Sequence, residues 1–585
     1  MDRKQVQPRW QELTIVAQDP AVRVNGRILT AGVRVPCERI GPGPWGHRVQ
    51  VLDYDTSADI LYSPRKYDVG PDGLVKEPFR NPDNDQILTS TQFHAQNVYA
   101  VVMRTLARFE FALGRRLSWG FDGHQIKVVP HAFAEANAYY SRDEEGLLFG
   151  YFPGAGGHPI LACLSHDVVA HETTHALLDG LRRRYTQPSS PDQAAFHEGF
   201  SDIVAILSVF SLPEVVGVLL DLAWGDDKSG PAGDRVAEKF TTPQALRESA
   251  LFGLAEEMGQ ELAQVRGQPL RRSVTLSPSP DHYNKDPEFK EPHRRGEVLV
   301  AAVLNALVGI WSDRLKELRR DDTRGLNRAR VAEEGALAAD RLLTMAIRSI
   351  DYCPPVHMEF GDFLSALLTA DYEMRPDDSQ YHFRAGLRRS FAEFGIKPAS
   401  PATEPEPGIW LSSAEGSDDA GLDSSRCHFE PLQRDADEVF RFIWENRKAL
   451  DLVEGAYTRV ESVRPCVRTG EDGFQLHETV AEYVQVLRLP ARDLRRLARL
   501  EKPAGMSPDT EVLLYGGGVL LFDEFGQAKL HIHNRLGSRE RQQQRLQDLF
   551  DAGYYASGAS LRSSFSHLHR LRATNAATHA EESWL

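Results

Sequence analysis

The sequence predicts a mixed α+β chain with more than one domain. Three observations carry this. Short apolar runs broken by Gly and Pro fill residues 1–50, and strand patterns continue to about residue 81 and resume at 125–130. Longer apolar segments with helical spacing follow. A stretch rich in Pro, Ser, Glu and Asp after residue 398 then sets off a shorter block of mixed strand and helix patterns. Strands first and helices later is the order of an α+β domain. The expected boundaries are 1–44 for an N-terminal β extension and 45–398 for the main domain. A linker over 399–425, a C-terminal α+β domain over 426–558 and a disordered tail over 559–585 complete the chain.

Taken in order, residues 22–35 (VRVNGRILTAGVRV) read as a β-hairpin turning at Asn25-Gly26. GPGPWG at 41–46 is a loop, and HRVQVLDY and Ile60-Leu61-Tyr62 continue β-structure. Residues 89–117 have helical periodicity, open on Ser/Thr caps and end in arginines, as the helix dipole favours. His94 on this helix reads as an ordinary core or surface histidine. QIKVVP at 125–130 is a strand, and ANAYYS at 136–141 follows it. Residues 213–224, 241–264, 336–350 and 360–396 read as helical. The longest nearly unbroken apolar run, 298–311, is too short for a membrane span and suits a buried helix. Beyond the linker, 435–453 is a helix, 474–494 mixes strand and helix, 511–522 and 528–533 form a hairpin, and 535–555 is an amphipathic helix. His531 and His533 share one strand face and read as a surface feature. Gly516–Gly518 lacks the lysine and spacing of a phosphate loop.

The chemistry concentrates in residues 167–202. HETTH places His171 and His175 one turn apart on one helix face, where both can hold one metal ion. Glu172 projects beside them, where a general base for a metal-activated water belongs. A catalytic zinc takes three protein ligands, and Glu198 in HEGFSD on a second helix supplies the third. Asp202, one turn later, is placed to accept a hydrogen bond from the far ring nitrogen of a ligating histidine.

DVVAHETTHALLD followed by HEGFSD resembles the core of the thermolysin-like metallopeptidases of the gluzincin clan. Asp167, His171, Glu172, His175, Asp179, Glu198 and Asp202 fall in matching places. His197 stands where the family commonly has Asn, and the loop from His175 to Glu198 is somewhat longer. The resemblance covers roughly residues 45–398. It implies a thermolysin-like catalytic domain, with a twisted N-terminal sheet lobe and a mainly helical lobe, one catalytic Zn2+, and endopeptidase activity on a peptide or protein substrate. It further implies that Asn137 and Ala138, on an edge strand, bind substrate backbone. Arg272, with Arg271 as the other register, would hold a substrate carbonyl. His293 would stabilise the oxyanion, partnered by Glu288 or Asp286, and Tyr185 would assist it. The PDHYNK segment at 280–285 matches the family, and its His282 and Tyr283 read as structural. The family's structural calcium is not expected, because Val209 occupies one carboxylate position and Asp226 and Asp227 fit no pattern.

Composition is that of an ordinary soluble protein. The 585 residues are 41% hydrophobic and 26% charged, and the formal net charge of −15 argues against a nucleic-acid partner. Five scattered cysteines form no disulfide framework, and the first twenty residues show no apolar signal segment. The expectation is a cytoplasmic protein, with export by a route not legible in the sequence as the alternative. The competing expectation for function is a latent or non-catalytic relative that serves as a binding or assembly module. In the latent form, residues 1–45 or the C-terminal domain would cover the cleft. A gluzincin aminopeptidase is disfavoured, because no GxMEN-type segment is present.

Overall fold

The computed structural model describes residues 10–71, 73–121, 123–154, 159–186, 189–225, 235–251, 269–321, 325–379, 381–411, 422–470, 472–551 and 553–555. The architecture is mixed, with strands first and helices after them.

Strand β1 (Trp10–Val16) pairs antiparallel with β2 (Thr30–Pro36), from Trp10↔Pro36 to Val16↔Thr30. Between them lies the two-residue turn expected at Asn25-Gly26. Both residues are left-handed (φ 50° and 78°), and Arg23↔Ile28 and Val24↔Arg27 close it. The hairpin is shorter than its sequence pattern, because 30–36 leaves it to pair with β1. Leu13, Ile15, Val16, Val33 and Val35 join the main core, so these strands are part of the domain rather than an extension in front of it.

A five-stranded sheet follows, made of β3 (Val49–Val51), β4 (Ile126–Phe133), β5 (Ala138–Ser141), β6 (Gly146–Pro153) and β7 (Pro159–Leu161). β3 and β6 flank β4 in parallel. On the other side of β6, β5 pairs with its first half and β7 with its second, both antiparallel. Helix α1 (Thr91–Leu113) packs on this region. Ser90 caps its start and left-handed Gly114 ends it. The arginines expected in its last turn therefore fall outside it, and Arg115 goes instead to Asp351 at 2.6 Å.

The helical lobe comprises α2 (His166–Leu181), α3 (Pro191–Phe210), α4 (Pro213–Gly225), α5 (Pro292–Asp321), α6 (Arg328–Ser349), α7 (Phe360–Met374) and α8 (Phe383–Glu393). α3 and α5 cross at Gly199 and Gly296. A Cβ on Gly199 would stand 3.0 Å from the Gly296 carbonyl, and one on Gly296 3.0 Å from that of Ala195. Glycine at both positions lets the two backbones touch. α5 extends well beyond the apolar run seen in the sequence. Among the described residues it is the single unbroken helix long and apolar enough to cross a membrane, and 78% of its apolar window is buried inside the protein.

The C-terminal part begins with α9 (Ala436–Glu445) and continues as an antiparallel meander. Its strands are β8 (Tyr457–Thr469), β9 (Gln475–Pro490), β10 (Glu511–Phe522) and β11 (Ala528–Asn534), followed by α10 (Arg539–Asp551). The hairpin at 511–534 is where the sequence places it, whereas 475–490 is one long strand. His531 and His533 do share a face, but they stack at 4.1 Å and His531 meets the Tyr483 hydroxyl at 2.8 Å, so they are not a bare surface feature.

This meander is not a separate module on a flexible tether. Cys466, Val480, Val519, Leu521, Leu530 and Ile532 belong to the same apolar core as the helical lobe. Arg182 pairs with Glu482, and Arg468 with both Asp351 (2.6 Å) and Glu478, all wholly or nearly wholly buried. Burial alone would raise the Asp351 carboxyl, but Arg115 and Arg468 outweigh it and hold it low. The first half of the expected linker is also fixed. Glu406 is gripped by Arg384 (2.8 Å) and Arg388 (2.6 Å), and the Trp410 N–H donates to Thr369 Oγ1. Residues 412–421 and the tail at 559–585 lie outside the described residues.

Replacing Arg468 with Ala removes one of two cationic partners from each of two buried carboxylates, since Asp351 keeps Arg115 and Glu478 keeps Lys529 at 3.2 Å. It is expected to cost about 3–5 kcal/mol of unfolding free energy in a denaturant titration. A loss below about 1 kcal/mol would contradict the role given to this pair.

Candidate metal centre

α2 and α3 are buried almost from end to end, because each is covered by helices and sheet. Their shared interface holds three ligand-type groups. His171 and His175, four residues apart, present rings 4.4 Å apart at 87°. From α3, Glu198 places Oε2 3.7 Å from His171 Nε2 and Oε1 3.7 Å from His175 Nε2. These three residues converge so that one ligand atom from each lies within 4.8 Å of the others. A separation of 3.7 Å is beyond a hydrogen bond, yet it is close to the spacing of two atoms each about 2.0–2.2 Å from one cation.

The far ring nitrogens are held. His171 Nδ1 lies 2.7 Å from Asp202 Oδ1, which as a carboxylate only accepts, so the ring proton sits on Nδ1. His175 Nδ1 meets His197 Nδ1 at 2.7 Å and Ser201 Oγ at 3.1 Å. Ser201 gives its own hydroxyl proton to the His197 carbonyl, so its oxygen is free to accept from His175. Both Nε2 lone pairs therefore face Glu198. His197, a departure from the family pattern, takes this supporting place.

Further charged groups lie close to Asp202. Buried Glu297 on α5 accepts from Arg272 Nε at 2.9 Å and pairs with Arg294. Burial pushes the Glu297 carboxyl up to about 7, against the pull of the two arginines, and nearby Asp202 adds to the rise. Arg272 is thus anchored next to the cluster with a partly exposed guanidinium. The side chain of Arg271 lies outside the described residues.

Glu172 is buried, and its Oε2 accepts the backbone N–H of Tyr140 at 3.0 Å. That N–H points away from β6, so the outer edge of β5 faces the carboxylate. N–H and C=O directions repeat every second residue in a strand, which places the Ala138 carbonyl on the same outer edge. Asn137 turns its side-chain oxygen onto the Ala138 N–H at 2.9 Å. The Tyr140 hydroxyl donates to buried Asp179 at 2.9 Å, tying the strand to α2.

His293 opens α5, one turn ahead of the Gly296 crossing beside Glu198. Its Nδ1 is hydrogen-bonded to Glu291, not to Glu288 or Asp286 as expected. Glu288 is taken by Arg294, and Asp286 caps the short turn at Pro287–Lys290, which brings Glu291 up to the ring. Burial works against the Glu291 charge, but hydrogen bonds from His293 and from the Arg294 N–H hold its carboxyl down to about 2. Tyr283 Oη donates to Asp192 Oδ2 at 2.6 Å, in the first turn of α3, so it has the structural place expected of it.

Tyr185 does not have the place expected of it. It is fully buried, and its hydroxyl donates to the Pro354 carbonyl at 2.8 Å and touches Met358 Sδ. A hydroxyl committed to the core cannot serve an oxyanion. Val209 is buried in α3, and Asp226 and Asp227 lie outside the described residues.

Sequence reasoning missed Ser201, Glu297, Glu291 and the Tyr140 N–H. Ser201 was accessible, since it shares a helix face with His197 four residues earlier. No family model and no curated protein matches this chain.

Asp202→Ala and the pair His197→Ala with Ser201→Ala each release one ring. Each is expected to weaken metal binding about 10–100-fold, measured by competition with a chelator. Unchanged affinity in both would contradict the supporting roles.

Proposed function

We propose that this chain is a zinc-dependent endopeptidase of the thermolysin type. The observation that carries the reading is the position of Glu172. It stands beside a buried His171–His175–Glu198 set and accepts the outward N–H of an edge strand. The donor set of two imidazoles and a carboxylate, with both ring protons held away from it, fits zinc. When bound there, zinc would supply Lewis acidity, polarising a peptide carbonyl and making a water molecule more acidic.

The protein's own groups do the rest. Glu172 takes the proton of the attacking water and returns it to the leaving nitrogen. The Tyr140 N–H fixes which carboxylate oxygen stays turned toward the strand. An extended peptide would lie along β5 as an added strand, meeting the Ala138 carbonyl, the Asn137 amide and Arg272. His293 is the oxyanion donor. With Nδ1 committed to Glu291, Nε2 is the ring nitrogen left to turn toward a substrate.

Glu172→Gln should keep its metal and lose at least about 100-fold in cleavage of a mixed peptide library, the usual worth of a general base. A Gln variant that cleaves at the wild-type rate would overturn the mechanism. A metal-loaded wild type that cleaves nothing would favour a binding or assembly protein instead.

A further inference from the structure

A second cluster of ligand-type side chains lies away from the His171 site. His94 in the first turn of α1, His131 on β4 and Cys163 in the turn before α2 are 2%, 5% and 0% exposed. One ligand atom from each lies within 4.8 Å of the other two. Sequence reading gave His94 no role, because its two companions come from distant parts of the chain.

The hydrogen bonds of the two rings show how they are arranged. His94 Nε2 lies 2.8 Å from the Ile87 carbonyl, which can only accept, so that nitrogen carries a proton. His131 Nδ1 lies 2.8 Å from Asp53 Oδ1 and 3.0 Å from Oδ2. A carboxylate there makes Nδ1 a donor as well. The inner nitrogens, His94 Nδ1 and His131 Nε2, are 2.9 Å apart. In two neutral rings with both outer nitrogens protonated, the inner pair would be two lone pairs facing each other. Something positive must sit between them: one extra proton shared among the rings and Asp53, or a metal ion.

We propose that His94, His131 and Cys163 form a second, structural metal site suited to a divalent ion of the zinc type. Each ring donates its outer N–H to a carboxylate or a backbone carbonyl, which is the usual setting of a metal-bound histidine. The third group is a thiol, the donor that separates borderline and soft metals from calcium and magnesium. Charge favours a divalent ion, since a +2 cation, the Cys163 thiolate and the Asp53 carboxylate sum to zero inside a buried pocket. Two nitrogens on one tetrahedral ion at 2.0–2.1 Å stand roughly 3.3 Å apart, so binding opens the pair by about 0.4 Å.

The site would pin three elements together. The Asn97 side chain holds the Cys163 carbonyl at 2.8 Å and the Val16 N–H at 2.9 Å, and α2 starts three residues after Cys163. A metal here clamps the sheet and α1 to the start of the helix that carries His171.

Cobalt(II) loading of the full chain tests this without any reference to catalysis. A thiolate-to-cobalt charge-transfer band in the near ultraviolet requires a sulfur ligand, and the His171–His175–Glu198 set has none. The expected result is two cobalt ions per chain together with that band. Cys163→Ser should lose the band and one equivalent, whereas His171→Ala should lose one equivalent and keep the band. No band in the wild type, or a band that survives in Cys163→Ser, would overturn the proposal. The wild-type spectrum decides by itself if the serine variant does not fold.

Discussion

Buried imidazoles are useful as ligands only if their protons are kept on the far side, and the region around α2 and α3 is arranged to do that. His171 gives its Nδ1 proton to Asp202, and His175 gives its own to His197 and Ser201. Asp202, His197 and Ser201 all lie on α3, the helix that also brings Glu198. One helix therefore supplies a carboxylate and sets the tautomers of both rings on its neighbour. The spacing of α3 from α2 and α5 then matters, and the paired glycines at 199 and 296 let α5 approach closely enough to bring Glu297 beside Asp202.

The second constraint is electrostatic. Two guanidinium groups, Arg182 and Arg468, are buried where the C-terminal sheet meets the helical lobe, and each has a carboxylate partner from the other side. Such pairs add little net stability compared with apolar packing, but either half alone is costly. They join the sheet to the helical lobe across the same boundary that the shared apolar core spans. Arg182, at the end of α2, is part of this network. The helix that carries the histidines is thus held at its far end by the sheet.

Much of the candidate metal centre was legible because the helical period turns sequence spacing into geometry. His171 and His175 share a face by their spacing alone, and Glu198 and Asp202 repeat the pattern on the next helix. The hairpin at 511–534 was legible from its two apolar runs and the turn between them. What the sequence hid depends on partners distant in the chain. Tyr185 has a plausible position in the loop after the metal helix, but its hydroxyl is claimed by Pro354, which lies 169 residues away. Glu291 displaced the expected partners of His293 because a tight turn shortens the path between them. Residues 399–411 have the composition of a linker, yet Glu406 meets two arginines of α8. His94 gained significance only when β4 and the turn before α2 closed around it.

The most direct test of the central claim is anomalous diffraction at the zinc absorption edge from a crystal of the zinc-loaded protein. The arrangement described above predicts an anomalous peak within bonding distance of His171 Nε2, His175 Nε2 and a Glu198 carboxylate oxygen, with Glu172 close by but not ligating. No peak between these three residues would contradict it, as would one in which Glu172 replaces Glu198 as a ligand.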